Sequence, residues 1–157
     1  MKDELGMRQS KRGNVDPFIV MDIMENARKA EEEGKDIIHM EVGQPSTPVP
    51  HYAQTKLCEE IRNSNLGYTV ALGIPELRAR ISKLYGEWYN LDLNPERVIV
   101  TSGSSAGFIL SFASLFDAKE SVGITSPGYP SYRQILKAQD LKPVLIETSF
   151  ENNYNLI

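Results

Sequence analysis

The sequence has one cysteine, Cys58, so no disulfide can form within the chain, and a lone thiol suits a reducing cytoplasm. Histidine is nearly as scarce. His39 and His51 are the only two, and with a single cysteine they form no metal-ligand spacing, which leaves no metal site to nominate. Basic residues do not predominate either: 17 Lys and Arg against 21 Asp and Glu give a net charge of −4, and no basic stripe suggests nucleic acid as a partner. Long apolar runs are absent. The longest uncharged stretch, residues 98–116, approaches the length of a membrane span, but Ser, Thr and Gly crowd its centre and its period changes midway. It reads as a buried strand followed by a helix, and the first thirty residues hold no signal-peptide core. A cytoplasmic protein without membrane association is the expectation.

What is present fits one globular domain. The chain has 157 residues, of which 41% are hydrophobic and 24% charged. Residues 1–15 lack periodicity and read as a terminal arm. Asp16-Pro17 offers an N-cap and a first-turn proline, and Ile19, Ile23, Ala27 and Ala30 recur at helical spacing until Gly34, which predicts a helix over 17–33. In DIIHMEV, Ile38, Met40 and Val42 alternate with Ile37, His39 and Glu41, the pattern of a short strand with His39 partly exposed. GQPSTPVP is a loop, 51–63 a helix, and NSNLGYTVALGI a second loop. Pro75-Glu76 then opens a helix whose buried face is marked by Leu77, Ile81, Leu84 and Trp88. From residue 97 the style changes to strand 97–102, helix 105–116, strand 121–125, helix 130–139 and strand 142–148, a β-α-β-α-β series that predicts a parallel sheet.

Ligands of parallel sheets sit at the carboxyl ends of the strands, where TSGSSAG and TSPGYPSY both fall. Within VIVTSGSSAGFIL, residues 103–107 match G-x-S-x-G, the strained turn that exposes a nucleophilic serine. That would make Ser105 a nucleophile, but its base must be a histidine downstream, and both histidines precede it. A second reading needs less. Unpaired N–H groups and the macrodipole at a helix start attract an anion, the serine hydroxyls add donors, and the small side chains allow close approach. The plainest reading is that Ser104 caps the helix. The second turn bears on the choice, because Tyr129 and Tyr132 lie just beyond the next strand, where an aromatic ring could stack on a planar group whose phosphate occupies the first turn. Together the turns suggest a flat, phosphorylated, aromatic cofactor.

Four segments, MEVGQPSTPVP at 40–50, GYTVALGIPELRARI at 67–81, RVIVTSGSSAGF at 97–108 and SPGYPSYR at 126–133, resemble in order and spacing the class I/II, fold-type I aminotransferases. The resemblance runs from about residue 16 onward. It implies an α/β fold, the N-terminal and incomplete part of a three-layer α/β/α large domain with a mainly parallel sheet. Residues 1–50 would be an arm, helix and short strand of the small domain, and 51–157 the start of the cofactor-binding large domain. The implied cofactor is pyridoxal 5′-phosphate, and the implied substrates are an amino acid and a 2-oxo acid, between which an amino group moves. Gly103, Ser104 and Ser105 match the family's phosphate-binding turn, and Tyr129 the ring that stacks on the cofactor. Tyr68 matches the tyrosine that reaches the phosphate of the other subunit, which implies a homodimer. Gly43 matches the glycine beside the substrate carboxylate.

The same resemblance exposes what the sequence does not contain. The family's Schiff-base lysine lies in a Ser-x-x-Lys context that none of the nine lysines occupies, and Lys83, in RISKLYGEW, imitates it only in text, on a helix where the family has a surface residue. The Asn-Pro-x-x-Pro-Thr-Gly segment, the aspartate for the pyridine nitrogen and the carboxylate-binding arginine are also missing, so no catalytic residue is nominated. FENNYNLI reads as a cut, and strand 97–102 would lack the neighbours that later segments supply in the family. A truncated aminotransferase, inactive alone, is the leading expectation. The alternatives are a non-catalytic cofactor-binding or dimerising fragment and, more distantly, a serine hydrolase using Ser105.

Overall fold

Among the described residues, five α-helices and a pair of strands form. In the computed structural model, which describes residues 6, 8 and 10–156, the helices are α1 (Ile19–Glu32), α2 (His51–Asn63), α3 (Pro75–Tyr89), α4 (Gly103–Leu115) and α5 (Pro130–Ala138), and the strands are β1 (Ser121–Ser126) and β2 (Lys142–Glu147). The chain divides into two compact units, Met1–Glu41 with Ser102–Ile157, and Val42–Thr101.

The first unit is built on a β-α-β crossover. β1 and β2 pair in parallel from Ser121↔Lys142 to Ser126↔Glu147, and α5 connects them. Parallel strands cannot be joined by a tight turn, so the amphipathic run PSYRQILKA forms the helix that carries the chain back. Its Leu136 is fully buried, and with Leu141 at 5% exposure it makes the buried apolar core among the described residues. α4 lies against α5, with Phe108 and Tyr132 ring centroids 4.5 Å apart. The parallel sheet and the α/β class follow the sequence pattern, and both strands and α5 fall within a residue of their expected bounds.

Three expectations change. α1 starts two residues late: its N-cap is Phe18, without a side-chain cap, because the Asp16 carboxylate is taken by Lys137 Nζ of α5. That ion pair holds the Asp16 carboxyl below its ordinary range, chiefly through the hydrogen bond from Lys137. No strand forms over 36–42, and Ile38 and Met40 are 85% and 88% exposed. The alternation is real, but a strand also needs a neighbour for its N–H and C=O groups, and none pairs with it among the described residues. His39 fastens the segment instead. Its Nδ1 lies 2.7 Å from Glu41 Oε1 and its Nε2 2.9 Å from Glu31 Oε1 on α1.

The third change lies in the second unit. Strand 97–102 is replaced by a 3-10 turn at Pro95–Arg97 and a stretch beyond it that joins no sheet among the described residues. α3 holds that stretch: Arg78 Nε donates to Val98 O at 2.8 Å, its Nη2 to Pro95 O at 3.0 Å, and Ser82 Oγ to Leu93 O. Val100 N donates to Leu72 O at 3.0 Å, and Gly73 makes this approach possible. Its φ of +101° lies in the region glycine favours, and a Cβ there would sit 2.6 Å from Val100 Cγ2. Ile81 and Leu84 are half-buried as the helical pattern implies, but Leu77 at 44% and Trp88 at 68% are exposed, since no element of this unit covers them. Much apolar surface in this unit is uncovered, Tyr52, Leu57 and Ile99 among it.

With both ring nitrogens facing carboxylates, His39 is held in its cationic form, and its pKa is raised to about 9 by the hydrogen bonds it donates to Glu41 first and Glu31 second. The contribution of this clasp is complete below the ordinary histidine value of about 6.5, and it is lost as pH rises towards 9. At the acid end it fails when pH falls through the depressed Glu41 pKa. The expected NMR titration midpoint for His39 is near 9, falling in Glu31→Gln; a wild-type midpoint near the ordinary value would show that the clasp does not form in solution.

Candidate active site

The first turn is a helix start that carries no charge. α4 begins at Gly103, whose φ of +78° sets the bend, and Ser102 is the N-cap with no side-chain cap bond. Ser104 is therefore not the cap. It and Ser105 are the second and third residues of the first turn, both exposed, and their N–H groups have no carbonyl one turn earlier within the helix. No acidic residue occupies the first turn of α4, unlike α1 with Asp22 and α3 with Glu76. The positive end of the helix field is thus unopposed by its own sequence. A Cβ at Gly103 would meet nothing within 4 Å, so open space lies before the turn.

The second turn presents a ring. After β1 the Ser126-Pro127 peptide is cis, and Gly128 passes so close to β1 that a Cβ would lie 2.4 Å from Thr125 O. Tyr129 follows as the N-cap residue of α5 and is 52% exposed. Its ring meets Phe18 at 6.3 Å and 77°, and Tyr132 at 5.3 Å and 73°. Tyr132 in turn contacts Phe108 on α4. A line of rings from Phe18 through Tyr129 and Tyr132 to Phe108 therefore links the second turn to the helix that begins at the first.

The structure brings Gly103, Ser104, Ser105 and Tyr129 into one compact unit, and Gly43 and Tyr68 belong to the other. Tyr68 is fully exposed, at 110%. Gly43 is exposed, with nothing within 4 Å of a Cβ position and no left-handed φ, so its glycine meets no demand of the fold. Lys83 stands on α3, 71% exposed and 3.8 Å from Glu87, a surface ion pair. His39 has both nitrogens engaged by carboxylates and offers no base to a Ser105 nucleophile. Sequence reasoning missed Phe18, which lies 111 positions before Tyr129, and the Asp16–Lys137 pair, which spans 121. Contacts of such range leave no local pattern. Gly128 could have been read from SPGYP, where a glycine between prolines marks a tight turn.

A parallel β-α-β unit with an uncharged helix start and an exposed aromatic at its loops has the layout of a cofactor-using α/β enzyme. Residues 35–157 match the family described as aminotransferase class I and II. The valine–pyruvate aminotransferase of Mycobacterium tuberculosis is 40% identical over 131 residues, covering 83% of this chain and 34% of that protein. The (5-formylfuran-3-yl)methyl phosphate transaminase of Methanocaldococcus jannaschii is 36% identical over 139 residues, covering 88% and 38%. A crystal structure of an aminotransferase from Mycobacterium tuberculosis superposes with a TM-score of 0.90 at 37% identity, covering 96% of this chain and 39% of that one. This chain belongs to the class I and II aminotransferases, and its elements are part of the fold-type I architecture. The family is generally pyridoxal-phosphate-dependent, acts on amino acids and oxo acids, and is commonly dimeric. The chain spans 34% and 38% of the length of these two curated relatives. Among the described residues no helix is long and apolar enough to cross a membrane.

The close pass at Gly128 gives a direct test of the second turn. Gly128→Ala forces a methyl group to 2.4 Å from a backbone oxygen, and is expected to destabilise the chain by about 1–3 kcal/mol. Denaturant unfolding checks this, and an unchanged midpoint would show that the turn is not held as described.

Proposed function

We propose that this chain supplies the phosphate cradle and the stacking ring of a pyridoxal 5′-phosphate site in an aminotransferase that moves an amino group from an amino acid to a 2-oxo acid. The observation that carries the reading is the line of rings joining Tyr129 to α4, whose exposed, uncharged start carries two adjacent serines. The residues fit the group: the phosphate needs small residues and open space, as at Gly103, Ser104 and Ser105, and the pyridine ring needs an exposed aromatic surface, as at Tyr129.

Ser104 and Ser105 would bind the phosphate through their N–H groups and hydroxyls, and Tyr129 would orient the ring. Gly43, free of any demand from the fold, would leave room for the substrate carboxylate. Tyr68, wholly exposed, would reach the phosphate site of a second copy, so we assign a homodimer. The chemistry available once pyridoxal phosphate is bound is an electron sink for the carbanion left when an amino acid loses its α-proton. The residue that would move that proton is assigned to none of the nine lysines. This chain by itself is accordingly expected to bind and orient, without turning over substrate. Following the family, residues 1–50 are assigned to the small domain and 51–157 to the large, although contacts within this chain group Val42–Thr101 together. The lone cysteine supports a cytoplasmic site.

The binding test uses 4-deoxypyridoxine 5′-phosphate, which has the ring and the phosphate but no aldehyde to react with the lysines. Ser105→Ala is expected to weaken its binding by about 1 kcal/mol, or roughly fivefold, as for one lost hydrogen bond to a charged group. Unchanged affinity would return Ser105 to a packing role.

A further inference from the structure

The ring of Tyr129 is directed by other rings. Among the described residues its hydroxyl has no hydrogen-bond partner, and its backbone carbonyl accepts from Tyr132 N at 3.3 Å in the turn that opens α5. The direction of the side chain is therefore set by its neighbours, Tyr132 on one hand and Phe18 on the other, both nearly perpendicular to it. Tyr132 belongs to the same helix as Tyr129, so the two move together. Phe18 comes from a distant part of the chain. It is half-buried at the start of α1, where its carbonyl accepts from Met21 N at 2.9 Å, and the preceding residues are fastened to α5 by the Asp16–Lys137 ion pair. Arg133 adds its field to Asp16 from the same helix. Pro17, with its fixed φ, separates the ion pair from the ring and limits how far Phe18 can swing. Beside this contact a cleft of about 240 Å³ runs between Phe18 and Ile19 on one wall and Pro130 and Arg133 on the other. Phe18 is thus the ring that bridges the α1 segment to the second turn, with open space next to it.

We propose that Phe18 is a positioning residue that sets the ring of Tyr129 for stacking on a planar ligand, with the Asp16–Lys137 pair as its tether. The proposal rests on the reading of Tyr129 as the stacking ring of the cofactor site. A ring already held in place loses less freedom when a ligand stacks on it, so its preorganisation appears as affinity. Phe18 does not touch the ligand in this account. It acts through Tyr129, and that separates it from a residue that merely supports the fold.

The experiment uses the full 157-residue chain and two readouts. The first is the NMR signals of the Tyr129 ring without ligand. Phe18→Leu is expected to shift them, Phe18→Tyr to restore them, and Lys137→Met to shift them in the same direction by less, while the backbone amide spectrum of β1 and β2 is preserved. The second is binding of 4-deoxypyridoxine 5′-phosphate in a double-mutant cycle. Phe18→Leu should weaken binding about threefold in the native background and not at all in the Tyr129→Leu background. Unshifted Tyr129 signals in Phe18→Leu would overturn the proposal, as would an equal loss of binding in both backgrounds. If Tyr129→Leu alone leaves affinity unchanged while the ring signals still respond to Phe18, the positioning contact stands and the stacking reading of Tyr129 falls.

Discussion

Leu136 is the fully buried side chain around which the described site is arranged. Its removal from water contributes on the order of 1.5–3 kcal/mol, and it lies on α5, the helix that packs against both β1 and β2. Several of the contacts around the second turn issue from that same helix. Tyr129 is its N-cap, Tyr132 reaches α4 through Phe108, and Lys137 holds Asp16 and with it the start of α1. A small apolar anchor therefore fixes a short helix, and the short helix distributes ring and ion-pair contacts to two distant segments. The charged contact is exposed and weak by itself, so the rings and the buried leucine do most of the holding.

Much of the apolar surface is covered by nothing in this chain. α4 is uncharged and largely apolar beyond its first turn, and Ile109, Leu110 and Leu115 are 47%, 56% and 72% exposed. A helix of that composition belongs inside a protein. The same holds for β2, whose Val144, Leu145 and Ile146 are each more than two-fifths exposed. These faces agree with a chain that spans about a third of the length of its curated relatives, in which the same sequence makes fewer contacts than its pattern anticipates.

The parts legible in the sequence are those decided over a few residues. α2 and α5 match their expected bounds because helical spacing, proline at the first turn and the loops around them act locally. The pair β1 and β2 was legible because the helix between them is short and amphipathic and returns the chain to the same edge. Segments 36–42 and 97–102 carry strand patterns as clear as those of β1, yet neither forms a strand among the described residues, since a strand is completed by a full ladder of hydrogen bonds from elsewhere in the fold. The site divides along the same line. The small-residue turn at 103–105 and the SPGYP turn were readable, but not the two-residue earlier helix start, which depends on the positive φ of Gly103. Phe18 against Tyr129 was beyond any local rule. Gly43 and Tyr68 came from family resemblance alone, and their exposure is compatible with ligand and partner roles that act outside this chain.

The central claim is that two turns separated by a strand form one site for a flat phosphorylated ring. The most direct measurement is a titration of the isotopically labelled chain with 4-deoxypyridoxine 5′-phosphate, following backbone amides and tyrosine rings together. The account predicts that the amides of Gly103, Ser104 and Ser105 and the ring of Tyr129 respond with a common midpoint, and that inorganic phosphate moves the amides without the ring. Responses confined to scattered lysines, or a Tyr129 ring indifferent to a ligand that shifts the Ser104 and Ser105 amides, would contradict it.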